Sequence, residues 1–241
     1  ASQRFATLTE ESGADVPDFQ RHVVPLLGRR GCNGRACHGS FQGRGGFRLS
    51  LFGYDFQMDH AALVGASESE PGRRIDRDSP GHSLILLKPT EQIAHEGGER
   101  FARDSWEYNL LKRWVAAGAR GAESTTAIRS LRVEPEELAL ADVGRDSSLR
   151  VTAVWEDGTE EDVTCLCRFR TNDDAVVDVD LEGTVRATGA GDTHVVVFYD
   201  NGVASIPVVV RSAGPAPSVP WPNDPRTTPL DELVNARLRK L

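Results

Sequence analysis

Two cysteines and a histidine stand together at Cys32-Asn33-Gly34-Arg35-Ala36-Cys37-His38. Thiol, thiol and imidazole in that order can attach haem covalently. Each thiol adds across a vinyl group of the porphyrin, and the imidazole then binds the iron as proximal ligand. The common spacing puts two residues between the cysteines. Here there are four, so the loop must bulge to bring both sulfurs to the ring edge. Gly34 and the small Ala36 make that bulge easier. Two other chemistries are open to the same residues. The thiols could close a small disulfide loop, or they could join His38 and a distant histidine around zinc. A histidine directly after a four-residue gap is poor zinc geometry.

A haem needs a second face covered and a second axial position filled. Gly39 to Gly53 is dense in glycine and carries Phe41, Phe47, Leu49 and Phe52. These side chains are apolar enough to cover a porphyrin face, and ordinary core is the alternative reading for each. Glycine at this density suits backbone packed close to a flat object, or a mobile loop. A later loop, Gln92 to Phe101, has His95 at its centre, with Gly97-Gly98 able to bring backbone near a ring. Met58 is the only methionine and is the rival sixth ligand, because a thioether commonly fills that position in cytochromes c. His60 and His82 are weaker rivals that read as surface residues. His22 reads as a solvent-facing helix residue.

The elements that must position these groups are short. Residues 1–15 read as a loose polar leader. Asp18 can cap a helix carrying Phe19, Val23 and Val24 on one side, with Pro25 close behind. That helix delivers the chain to the cysteine motif. Residues 60–80 are polar. Ser83 to Lys88 is a buried segment stopped by Pro89. Asp104 or Ser105 then caps a helix, with Glu107 in capping-box position for Asp104. Leu110, Leu111, Trp114 and Val115 recur at helical spacing, and Gly118 is its stop.

Arg30-Gly31-Cys32, Cys37-His38-Gly39, Ser83-Leu84-Ile85-Leu86, a glycine-rich loop and then Tyr108 to Ala119 follow one another in this order. This order resembles the planctomycete-type cytochrome c domain over about residues 17–120. In ordinary members of that family a Met-Pro step before the last helix supplies the sixth iron ligand. His95 stands where that methionine would be. The resemblance therefore implies one haem c with two histidine ligands, His38 and His95. Two strong axial ligands imply outer-sphere electron transfer at a potential below that of Met/His cytochromes.

From Ile128 to Arg211 the apolar period changes to two. Leu149, Val151, Ala153 and Trp155 alternate with polar neighbours, and Asp157-Gly158, Glu182-Gly183 and Asn201-Gly202 mark turns. Short strands at this spacing predict a β-sandwich. Thr171 to Asp180 with Gly183 to Thr193 resembles the bacterial Ig-like domain of group 2, a spacer or adhesion module. Cys165 and Cys167 fall two apart on a predicted strand and read as small buried thiols. Asp173, Asp174, Asp178 and Asp180 read as a solvated acidic run. Residues 213–229 are a proline-rich linker, and an amphipathic helix begins at Pro229.

The expectation is thus a multidomain chain: an all-α cytochrome c-like domain at 16–120, an all-β Ig-like sandwich at 128–212, and a linker with the start of a further helix at 213–241. The 241 residues suit two ordinary domains. A formal net charge of −8 argues against nucleic acid as partner. No apolar run is long enough to span a bilayer. Covalent haem implies a periplasmic or otherwise exported protein, whose partner is a redox protein or a further domain of the same chain. An electron-transfer module is expected more than an enzyme. The alternatives are a haem enzyme or gas sensor with a labile sixth ligand, and a haem-free extracellular binding or adhesion protein.

Overall fold

The computed structural model describes residues 5–9, 16–65, 72–121, 126–212 and 228–238. The linker predicted at 213–229 and the acidic-polar leader at 10–15 therefore fall largely outside the described residues. Asp18 does cap the first helix, its carboxylate accepting the Arg21 backbone N–H at 2.7 Å. A π-helical turn, Phe19–Val23, runs straight into α1, Val24–Arg29. Pro25 sits in the first turn of α1, where its missing N–H is no loss, so it continues the helix. Helix α2 is Phe56–Val64, α3 is Leu84–Leu87, and α4 is Trp106–Ala116. Ser105, not Asp104, caps α4 by accepting from the Tyr108 N–H. Glu107 is left free of the cap and pairs with Arg30 instead, tying the end of α1 to the start of α4.

Ten strands follow. They are β1 (Ile128–Glu134), β2 (Leu138–Leu140), β3 (Asp146–Ser148), β4 (Arg150–Trp155), β5 (Glu160–Asp162), β6 (Arg168–Thr171), β7 (Val177–Val179), β8 (Thr184–Ala187), β9 (Gly191–Tyr199) and β10 (Gly202–Val210). They form sheets in the orders β1-β4-β5, β2-β10-β9-β6 and β3-β8-β7. The β4–β5 hairpin turns at Gly158, whose φ of 83° needs a residue without Cβ. β2 pairs parallel to β10, with Val208 opposite Leu138. Along β9 buried and open positions alternate, as the period-two pattern predicts. A last helix, α5, is Pro229–Leu238.

The expectation of an all-α first half is corrected. The longest helix has only 11 residues, long irregular stretches separate the short helices, and from Ile128 to Val210 the elements are ten strands with one 3-10 turn among them. The physical reason lies in the glycine-rich run after His38 and the turn-rich run before Ser83. Neither can pay for helix nucleation, so the polypeptide is held there by turns and side-chain bonds.

The chain divides into two compact units that interleave along the sequence. The first comprises the described residues of Ala1–Leu131, Thr152–Arg168 and Phe198–Gly202. The second comprises those of Arg132–Val151, Phe169–Val197 and Val203–Leu241. The first unit includes most of the β1-β4-β5 sheet and the tip of the β9–β10 hairpin. Inside it, Phe5 and Leu8 are buried, so the predicted loose leader contributes to the core. His22, expected in solvent, is also buried. Its Nδ1 accepts the Asp18 N–H at 2.7 Å, and its Nε2 meets both Glu161 oxygens at 3.1 Å. Cys165 lies on a 3-10 turn, Thr164–Leu166, and not on a strand; it and Cys167 are free and buried, as small apolar thiols would be.

Asp200, in the β9–β10 turn of this unit, accepts from the Gln20 amide at 3.3 Å. Burial pushes its carboxyl up to about 6. The folded chain then binds this proton more tightly than the unfolded one. The group's contribution is fully favourable below about pH 4 and is lost as pH rises through about 6. Asp200→Asn should therefore stabilise the protein at pH 8, on the order of 2 kcal/mol, and the gain should vanish at pH 4. Paired thermal melts at the two pH values check this.

Candidate haem site

The insert between the cysteines is a closed pair of turns. Gly31, in the left-handed region at φ 75°, ends α1. The N–H of Cys37 and that of Gly39 both donate to the Gly34 carbonyl, at 3.0 and 3.1 Å. The His38 N–H donates back to the Cys32 carbonyl at 3.0 Å. The longer spacing is thus taken up by chain folded over itself, which brings His38 beside Cys32. A Cβ at Gly39 would stand 2.0 Å from the Asn33 carbonyl oxygen. Because that neighbour is backbone, it cannot swing aside. Gly39→Ala should cost about 2 kcal/mol or more, read as a lowered denaturant midpoint.

The glycines after His38 serve a different purpose from the one expected of a flat surface. Gly45 and Gly46 both have positive φ, 63° and 73°, and form the two-residue turn between Arg44 and Phe47. That turn aims two carbonyls at one imidazole nitrogen. His38 Nδ1 lies 3.1 Å from the Arg44 oxygen and 3.0 Å from the Phe47 oxygen. Carbonyls only accept, so Nδ1 carries the proton and Nε2 keeps its lone pair. Burial holds the His38 pKa below its ordinary value, so the ring is neutral near pH 7.

His95 is arranged the same way. Its Nδ1 donates to the Gly98 carbonyl at 2.9 Å, which again leaves Nε2 as the basic atom. The His38 and His95 rings lie nearly parallel, at 21°, with centroids 6.5 Å apart. Fixing the far nitrogen on a carbonyl is how metal-binding histidines are commonly oriented.

Both rings and both thiols of the motif line one cavity of about 410 Å³. Its apolar wall includes Leu27, Phe47, Leu49, Leu63, Leu84 and Ile85. Among the described residues its charged wall is Arg44, Arg74, Lys88 and Arg100 against the single carboxylate Glu96. Cys32 and Cys37 are free thiols, so the disulfide reading does not describe this structure. Burial pushes the Cys32 thiol up to about 11. Arg100 Nη2 approaches Cys37 Sγ at 3.6 Å. Among the described residues no group of three or more His, Cys, Asp or Glu is placed to hold a metal ion.

Three expected site residues lie elsewhere. Phe41 is 86% exposed, with Arg48 5.7 Å over its ring. Phe52, held at φ 58° by its N–H bond to the Asn33 carbonyl, packs against Arg168 at 4.6 Å. Neither forms part of the cavity wall. Met58 is half-buried on α2 and also outside the wall, although its helix reaches the cavity through Leu63. His60 bonds the Ala119 carbonyl at 2.8 Å and packs on Trp114, a structural role. The cationic wall was not singled out from the sequence. Arg74 and Lys88 come from separate segments, and only folding brings them to one cavity.

No family model and no curated protein matches this sequence. Among solved structures, the chain is similar to the surface layer protein SbsC. Domains 1–6 of that protein share 17% identity at a TM-score of 0.33, over 40% of this chain and 14% of that one. Its domains 5–6 share 19% identity at 0.32, over 38% of this chain and 47% of that one. The chain spans well under two thirds of those structures. A likeness this partial carries no weight for the site. Among the described residues no helix is long and apolar enough to cross a membrane.

Proposed function

We propose that this chain is an exported electron-transfer protein that carries one haem c, joined through Cys32 and Cys37 and gripped on its two faces by His38 and His95. The observation that carries the reading is the histidine pair. Two near-parallel imidazoles stand 6.5 Å apart, inside a cavity that also holds both thiols. Each ring has its Nδ1 proton committed to a carbonyl. The cavity wall also suits a ligand with an apolar face and two carboxylates, since four cations face one anion within it.

Haem supplies a one-electron couple whose potential follows its axial ligands and surroundings. The chain's own residues do the rest. Cys32 and Cys37 would hold the group covalently, each thiol adding its S–H across one vinyl group, an addition that needs no oxidant and releases nothing. The carbonyls of Arg44, Phe47 and Gly98 orient the two imidazoles. Leu49, Leu63, Leu84 and Ile85 exclude water and favour the state of lower charge. Held by two imidazoles of the chain, such a group would serve electron transfer rather than turnover of a small substrate. The partner is an exported redox protein or another domain of the same polypeptide.

The test is expression in cells able to mature c-type haem. The expected result is a coloured protein, heavier than its sequence by one haem, with a low-spin spectrum and a pyridine haemochrome of the two-thioether type. Cys32→Ala should shift that haemochrome to the single-thioether position while leaving colour. A colourless protein with the mass of its amino acids overturns the proposal and leaves a haem-free binding or adhesion protein. Rapid carbon monoxide binding to the reduced form at neutral pH favours instead a sensor or enzyme with a labile sixth ligand.

A further inference from the structure

The His95 loop leaves α3 and returns to it at a narrow neck. The Arg100 N–H donates to the Pro89 carbonyl at 2.7 Å, and the Ile93 N–H to the Leu87 carbonyl at 3.3 Å. Beyond the neck, the tip bonds chiefly to itself. Gly98 donates its N–H to the His95 carbonyl, and His95 Nδ1 donates back to the Gly98 carbonyl. One ion pair crosses from this tip to the opposite wall. Glu96, next in sequence to His95, meets Arg44 Nε at 3.1 Å. Arg44 is also the residue whose carbonyl accepts from His38 Nδ1. A single residue thus touches the fixing of one imidazole by its backbone and the loop of the other by its side chain.

We propose that the Arg44–Glu96 pair is a latch on the sixth-ligand loop, setting how often His95 swings away and admits a small ligand. The inference rests on the two-histidine haem reading above. The pair is 46% and 82% exposed at its two side chains. Salt therefore weakens it, because charges in water are screened within about 10 Å at 0.1 M salt and about 3 Å at 1 M. The latch is accordingly weak by construction and responsive to ionic conditions or to an approaching charged surface. An anionic partner surface that draws Arg44 away would open it.

The experiment measures carbon monoxide binding to the reduced, haem-loaded protein, where the rate follows the departure of His95. Glu96→Gln should speed binding about two- to five-fold at low salt, the size expected of an exposed ion pair. It should also abolish the salt dependence, and the native protein in 1 M salt should reach the variant's rate. The exchanged pair, Arg44→Glu with Glu96→Arg, should restore slow binding at low salt. Amide exchange over residues 94–99 of the haem-free chain should rise in Glu96→Gln by the same factor. Equal rates and equal salt dependence in native and Glu96→Gln protein overturn the latch. Failure of the underlying reading is visible separately, because His95→Ala then leaves a low-spin spectrum unchanged.

Discussion

Replacing His95 by alanine should turn the six-coordinate low-spin spectrum high-spin while leaving the haem attached. On the proposed reading the thioethers would come from Cys32 and Cys37, and the other imidazole, His38, keeps its two carbonyl partners. What is lost is the imidazole whose centroid lies 6.5 Å from that of His38. No other titratable ring or thioether can take its place, since Met58, His60 and His82 stand outside the cavity wall. An added ligand no longer competes with an intramolecular one. If His95 is bound in at least about nine-tenths of molecules, apparent carbon monoxide affinity should rise about ten-fold or more. Met58→Ala and His60→Ala should leave spectrum and affinity alone, although His60→Ala should lower the melting temperature through its lost bond to Ala119. A low-spin spectrum surviving in His95→Ala, and disappearing in Met58→Ala, would place the ligand on α2 and sink the geometric argument.

The site was readable in sequence where chemistry and local spacing coincide. Cys32, Cys37 and His38 sit in one short motif, and His95 sits in a loop between a buried segment and a helix with a clear cap and stop. The structure places all four on one cavity. Phe47 and Leu49 were read as possible haem-facing residues, and both line it. Phe41 and Phe52 were read the same way and do not. All four lie within one glycine-rich run, so composition could not separate them. What decides is the turn at Gly45-Gly46, which folds Phe47 back over His38 at a ring distance of 4.7 Å and leaves Phe41 outside. Helix α2 went unread because its apolar residues do not gather on one face, and so the polar run after it blurred its start. The burial of His22 could not be read at all. Its partner Glu161 is 139 positions away, on a strand expected in another domain.

That long-range partnership makes the other large prediction. A fragment ending at residue 121 contains every residue of the cavity wall, yet it should not fold as a cooperative unit. Several groups of residues 16–30 have their partners on β4, β5, β9 and the neighbouring turns. Arg29, buried, donates to the Cys167 carbonyl at 3.2 Å. His22 loses both oxygens of Glu161. Arg21 loses Asp157 at 2.6 Å and the face of Trp155 at 4.5 Å, and its carbonyl loses the Tyr199 hydroxyl at 2.5 Å. A buried donor left without an acceptor costs about 1–3 kcal/mol, and more when charged. Arg29 and His22 are the buried members of this set, and losing both partners together with the apolar cover of Trp155 and Tyr199 removes a large share of the stability of a typical domain, about 5–15 kcal/mol. These losses also fall on the helix that ends at the Cys32–His38 motif, so the cysteines and His38 would lose their platform. Near-ultraviolet circular dichroism and calorimetry of residues 1–121 beside residues 1–212 provide the measurement. The shorter chain should show no cooperative transition and should bind a hydrophobic dye, while the longer should melt sharply. A sharp melt of residues 1–121 within a few degrees of the longer chain would mean that these partners are decoration, and that the half carrying the cavity folds by itself.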